Sequence, residues 1–127
     1  MQHLLTLIEP SKPGFKKLSG NLVWIINSGA PRHMTGDVHQ LEQKTSVNPI
    51  AVSLPNGESA MARCQGSMNL GPKINLDKVL YIPNFSCNLI SISQLISELK
   101  CIVIFVDDLC VIQDRTSKSL IGAGRLR

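Results

Sequence analysis

Residue types that can do chemistry gather in two places in this chain. The first is a stretch in which Ser28, His33, Asp37 and His39 stand close together. His33, Asp37 and His39 are possible metal ligands. The short paired spacing usual for zinc ligands is missing, however, and polar residues of a surface loop are the plainer expectation. Ser28, His33 and Asp37 also have the types of a nucleophile, a base and an orienting acid. Such triads are assembled in space by strict geometry, so adjacency argues little for one. The second place is Asp107-Asp108. Two carboxylates can divide acid and base work, but neighbours in a tight turn point apart, and a solvated turn is expected. The four cysteines, Cys64, Cys87, Cys101 and Cys110, include no C-x-x-C pair. They read as free thiols in or near strands, with no metal.

The elements that must position these residues are mostly short strands. Leu22–Ile26 is apolar and partly β-branched, which reads as a buried strand. It stops at Asn27-Ser28-Gly29-Ala30-Pro31, where Gly29 frees the backbone and Pro31 forbids further strand pairing, so a tight loop follows. Pro49–Leu54 and Glu58–Cys64 flank Pro55-Asn56-Gly57, and Asn-Gly between two β-compatible runs predicts a hairpin. Further strands are expected at Gly66–Leu70, Ile74–Ile82, Cys101–Val106 and Cys110–Gln113. Asn88–Lys100 carries apolar residues at Leu89, Ile92, Leu95, Ile96 and Leu99. Spacings of three and four predict one helix with that stripe in the core, Asn88 as its cap and Lys100 at the negative end of its dipole. Residues 1–20, with Pro10, Pro13, Gly14 and Gly20, read as a linker or disordered extension, and 21–127 as one domain.

Composition narrows the function. Hydrophobic residues are 43% and charged residues 17%, a balance that argues against disorder. No apolar run approaches the roughly 20 residues of a membrane span. The N-terminal residues do not resemble a secretory signal. The net charge of +4 comes from scattered basic residues without interleaved aromatics, so no specific nucleic-acid surface is expected.

The segment WIINSGAPRHMTGD, residues 24–37, resembles the active-site segment of copia-type retrotransposon Gag-Pol polyprotein aspartic proteases, where an apolar strand leads into Asp-Ser-Gly-Ala. The resemblance continues in order. Ser53-Leu54-Pro55-Asn56-Gly57 is similar to that family's flap hairpin. Lys78–Phe85 is similar to its VLYVP strand, and Asn88–Leu95 to its NLLSVSQL helix. Gln113-Asp114-Arg115-Thr116 and Ile121-Gly122 are similar to its last strands. The match runs from about residue 20 to 125.

This resemblance implies an all-β, retropepsin-like open barrel with one short helix, working as a homodimer on polyprotein peptides in the cytoplasm, without cofactor or membrane. In such a dimer each subunit gives one aspartate. Two carboxylates about 3 Å apart share one proton, so one activates water while the other protonates the peptide carbonyl. By resemblance the acid position is Asn27, with Ser28 and Gly29 holding the loop and Ala30, Pro55, Asn56 and Gly57 contacting substrate. Asn27 departs from the family's Asp: a carboxamide keeps size and hydrogen bonding but cannot serve as acid or base near neutral pH. Pro31 departs from the usual Ser. The expected function is therefore an aspartic endopeptidase domain impaired in catalysis. Two alternatives are a non-catalytic peptide-binding domain and an active heterodimer with an Asp-bearing relative.

Overall fold

The computed structural model of the chain describes residues 2–9, 16–17 and 23–126. Eleven strands are found there: β1 (Gln2–Glu9), β2 (Lys16–Lys17), β3 (Val23–Asn27), β4 (Met34–Thr35), β5 (Glu42–Ser53), β6 (Ser59–Gly71), β7 (Ile74–Tyr81), β8 (Asn88–Ser91), β9 (Cys101–Val106), β10 (Leu109–Asp114) and β11 (Leu120–Leu126). Among the described residues there is one α-helix, α1 (Ile92–Leu99), and a 3-10 turn at Val38–Gln40. The fold is all-β with a single short helix, as expected.

The strands form one sheet in the order β5-β6-β7-β4-β8-β3-β1-β11-β10-β9, with β2 beside β1. The pairing is mostly antiparallel, but β3 lies parallel to β8 and β4 parallel to β7. This sheet coils on itself. A methyl group added at Gly122 of β11 would stand 2.2 Å from Ile74 Cδ1 of β7, although five steps of strand order separate the two. The two halves of the sheet therefore meet face to face. Between them Leu5, Trp24, Ile26, Leu76, Val79, Leu95, Cys110 and Ile112 form the main core. A second cluster gathers Ile25, Met34, Ala62, Leu80, Ile82 and Leu89.

A bulge in β7 lets one strand serve both cores. Ile74 and Leu76 are buried in alternation with exposed Asn75 and Asp77. At Lys78 the backbone turns to φ 52°, and pairing with β6 slips between Leu76 and Val79. After that extra residue Val79 faces the main core and Leu80 the second one, the re-aiming that a bulge produces.

Several expectations are refined. Residues Gln2–Glu9, expected within a linker, form β1, pairing with β3 and β11. Leu5 is buried there against strand partners that no local pattern announces. Most of residues 10–22, including Leu22, lie outside the described residues. The two strands expected at Glu58–Cys64 and Gly66–Leu70 are one strand, β6. The hairpin between β5 and β6 is present, with Gly57 at φ +90° and its amide donating to Leu54 O at 2.9 Å. Asp107-Asp108 is an exposed turn, with Asp108 paired to Arg125 at 2.8 Å.

The helix is shorter than its apolar spacing suggests. Asn88–Ser91 is a strand because it pairs in parallel with Trp24–Asn27, so Asn88 is not the cap and Leu89 is not on the helix. Ser91 is the cap, its hydroxyl accepting the amide of Gln94 at 3.1 Å. Lys100 closes the helix in the left-handed conformation. Leu95 is fully buried, with Ile92, Ile96 and Leu99 packed beside it. The four cysteines are free, and Cys101 and Cys110 are buried. Burial, with the neighbouring Cys101 a smaller cause, pushes the Cys110 thiol up to about 11.

Leu95→Ala is expected to cost about 2–5 kcal/mol, because it opens a cavity in the core. Ser97→Ala on the exposed face is expected to stay within about 0.5 kcal/mol. Urea unfolding of the two variants against the parent chain checks this.

Candidate functional site

β3 ends at the surface, and its last residue, Asn27, starts a loop running to Met34. The Asn27 side chain is fixed by that loop: the Gly29 amide donates to its Oδ1 at 2.7 Å. A methyl group at Gly29 would lie 3.4 Å from the same oxygen, an ordinary contact distance, so the turn is held by this hydrogen bond and does not depend on the absence of a side chain. Asn27 is half-buried, Ser28 and Gly29 are exposed, and Ala30 is buried.

The loop is held from behind by the start of α1. The Ser91 hydroxyl donates to Ala30 O at 2.6 Å while it accepts the Gln94 amide. Its one proton is used there, and its second lone pair faces the Ser93 hydroxyl at 3.1 Å. Gln94 Oε1 accepts the His33 amide at 2.8 Å, and Gln94 Nε2 donates to Glu98 at 2.9 Å and to Asp77 O at 2.8 Å.

His33 completes this arrangement. It is 0% exposed, which corrects the expectation of a surface loop. The Ser91 amide can only donate, and it points at His33 Nδ1 at 3.0 Å. The ring proton therefore sits on Nε2, 3.1 Å from Glu98 Oε1. Burial raises the Glu98 carboxyl, but hydrogen bonds from His33 and Gln94, with the nearby His33 ring and the Asp77 backbone, together hold it below its ordinary value.

The other candidates separate in space. Asp37 accepts the His39 amide at 3.0 Å and Gln40 Nε2 at 3.1 Å, stabilising the 3-10 turn. His33 turns inward to Glu98 instead. Among the described residues no group of three or more His, Cys, Asp or Glu side chains is placed to hold a metal ion. Nor is Ser28 joined by His33, whose two ring nitrogens are both engaged elsewhere.

Opposite the loop stands the β5–β6 hairpin, and between the two lies a cleft of about 390 Å³. Asn27, Gly29, Ala30, Pro31, Arg32 and Met34 form one wall, Ile50 to Pro55 the other, with Leu89 also lining it. Of the residues implied as substrate contacts, Ala30 and Pro55 line this cleft. Asn56 and Gly57 do not. They form the exposed tip, where Asn56 Oδ1 accepts the Glu58 amide at 2.9 Å and so folds back on its own turn. Sequence reasoning missed Ile50, Val52 and Leu54, although their period of two is the mark of one strand face. It also missed Arg32, and the anchoring set of Ser91, Gln94 and Glu98, whose meeting with residue 33 depends on a contact across some 60 residues.

The chain's similarities to known proteins agree with this architecture. The family described as "Pol polyprotein, beta-barrel domain" matches residues 24–100. Among curated proteins, the "Retrovirus-related Pol polyprotein from transposon RE1" of Arabidopsis thaliana is 33% identical over 76 residues, which cover 57% of this chain and 5% of that protein. The chain thus corresponds to a small part of that relative. No solved structure matches the chain.

The Glu98 contacts carry a pH signature. A carboxyl lowered by folding contributes stability above its unfolded value, near 4.5, and that contribution is lost as pH falls through the lower folded value. Glu98→Gln removes the titration. The stability gap between parent and variant is expected to be constant above about pH 6 and to shrink towards pH 3, as read from urea midpoints across that range. An unchanging gap would contradict the assigned role of Glu98.

Proposed function

Because the chain belongs to the Pol polyprotein β-barrel domain family, from the Pol polyprotein of a retrotransposon, we propose that it is the aspartic-endopeptidase domain of that polyprotein, impaired because Asn27 stands where the acid is needed. The observation that carries this reading is the cleft itself. The Asn27-Ser28-Gly29 turn and the Leu54-Pro55 end of a hairpin face each other across a mostly apolar space. That is the arrangement for laying an extended peptide between a fixed loop and a movable flap.

The reading requires two copies. Each chain supplies one Asn27 turn, and a carboxylate dyad needs two, so the working unit is a symmetric homodimer with residue 27 near its axis. A polyprotein segment is the partner, and the cytoplasm is the compartment. In this dimer both acid positions are carboxamides. The Asn27 side chain accepts the Gly29 amide as a carboxylate would, so the geometry is kept. What is missing is a group that takes a proton from water and returns one to the leaving amine. Peptide is bound but not efficiently cut.

Asn27→Asp is the direct test. The Gly29 amide that now donates to Oδ1 would donate to a carboxylate instead, a stronger bond that needs no rearrangement. The variant is expected to cleave a denatured protein with a bell-shaped pH profile on the acidic side, because the pair works only with one proton present and one absent. The parent chain is expected to be slower by about 100-fold or more. Cleavage is followed from pH 4 to 8 at equal dimer concentration. A dimeric Asp variant that binds peptide yet cuts nothing would show that more than the carboxylate is lost, with Pro31 the first suspect.

A further inference from the structure

Resting on the reading of the cleft as a peptide site, we propose that Arg32 makes it selective for peptides that carry an acidic side chain within two residues of an apolar one. Arg32 is the one charged residue among those lining the cleft, whose remaining walls are chiefly apolar, with Ile50, Val52, Leu54, Met34 and Leu89. Arg32 is half-buried at the edge of that space. Among the described residues Arg125 pairs with Asp108 and the His33 ring donates to Glu98, and neither contact involves Arg32.

The guanidinium is nonetheless held in place. Its Nη2 donates to Gln65 Oε1 and to Lys78 O, both at 3.2 Å. The Lys78 carbonyl belongs to the β7 bulge, where the backbone departs from regular pairing. Both acceptors are neutral, so they orient the fork without cancelling its charge. Both bonds also use the same nitrogen. Among the described residues, the edge formed by Nε and Nη1 keeps its donors for a ligand. That edge matches a carboxylate in the planar, two-bond geometry that arginine favours. At this half-buried position water screens a charge pair in part, and the attraction is that of a pair near the protein surface rather than in its interior. An acidic side chain then meets Arg32 while an apolar neighbour in the same extended segment fills the space against Val52 and Leu89.

The test is binding, measured on the chain as it stands, so catalysis is not needed. Short synthetic peptides with a central Leu-Phe pair and Glu, Gln or Lys two residues away are titrated by calorimetry. The Glu peptide is expected to bind about tenfold more tightly than the Gln peptide, the worth of one charge-assisted pair, with the Lys peptide weakest. The preference should shrink as salt rises. In Arg32→Gln the difference between Glu and Gln peptides should vanish, and in Arg32→Lys part of it should remain. Thermal melts verify that both variants are folded; should either not fold, the peptide comparison on the parent chain still decides. Equal binding of Glu and Gln peptides by the parent chain, or a Glu preference that survives in folded Arg32→Gln, overturns this inference and leaves the peptide-cleft reading standing. Binding of none of the three overturns both.

Discussion

The site depends on one hydroxyl. Ser91 ends β8, caps α1 and holds the Ala30 carbonyl, so a strand, a helix and a loop share a single oxygen. Its position is set by the parallel pairing of β8 with β3, in which Ser91 stands opposite Asn27. Asn27 and the residue that anchors the loop behind it are thus fixed by the same ladder. His33 and Gln94 repeat the linkage from either side of Ser91, and their partner Glu98 lies one turn further along α1. The loop buries Ala30 and Met34 in the second core, but its polar groups must also be satisfied. Satisfied hydrogen bonds hold it along with that packing, because each buried donor or acceptor left alone would cost about 1–3 kcal/mol.

The opposite wall of the cleft has a different origin. β5 is an edge strand, and Pro49 within it is tolerated because such a strand owes no hydrogen bond on its outer side. Ile50, Val52 and Leu54 point to the cleft, while the turn beyond them closes on its own backbone. One wall is locked to the core and the other is a hairpin with one free edge. The β7 bulge serves this site indirectly. It turns Leu80 into the second core beneath the loop and sets the Lys78 carbonyl against Arg32.

In the proposed function, replacing Asp by Asn removes proton transfer and leaves shape. Neither the Gly29 bond nor the Ser91 clamp needs a carboxylate at position 27. Two carboxamides near a two-fold axis also lack the mutual repulsion of two carboxylates. The physical distinction is between a site that binds and a site that reacts: binding rests on the cleft walls, reaction on a proton that Asn27 cannot accept.

Local features of the sequence determined much of this. The apolar run ending at Asn27 had to be a strand that stops, since Gly29 and Pro31 break its pairing. Asn56-Gly57 had to be a turn, because glycine alone adopts φ +90° without cost. The all-β class followed from many short β-branched runs divided by turn residues. Periodicity also marked Leu95 as core, but it could not separate β8 from α1, because Leu89 fits an apolar stripe at helical spacing equally well; the parallel contact with β3 decided it. Only tertiary structure could draw Gln2–Glu9 into the sheet, bury His33 against Ser91 and Glu98, and bring Arg32 to the cleft. Each of those outcomes is a pairing between residues far apart in the chain, and the energy that selects it comes from burial and hydrogen bonding at contacts that no short window of sequence contains.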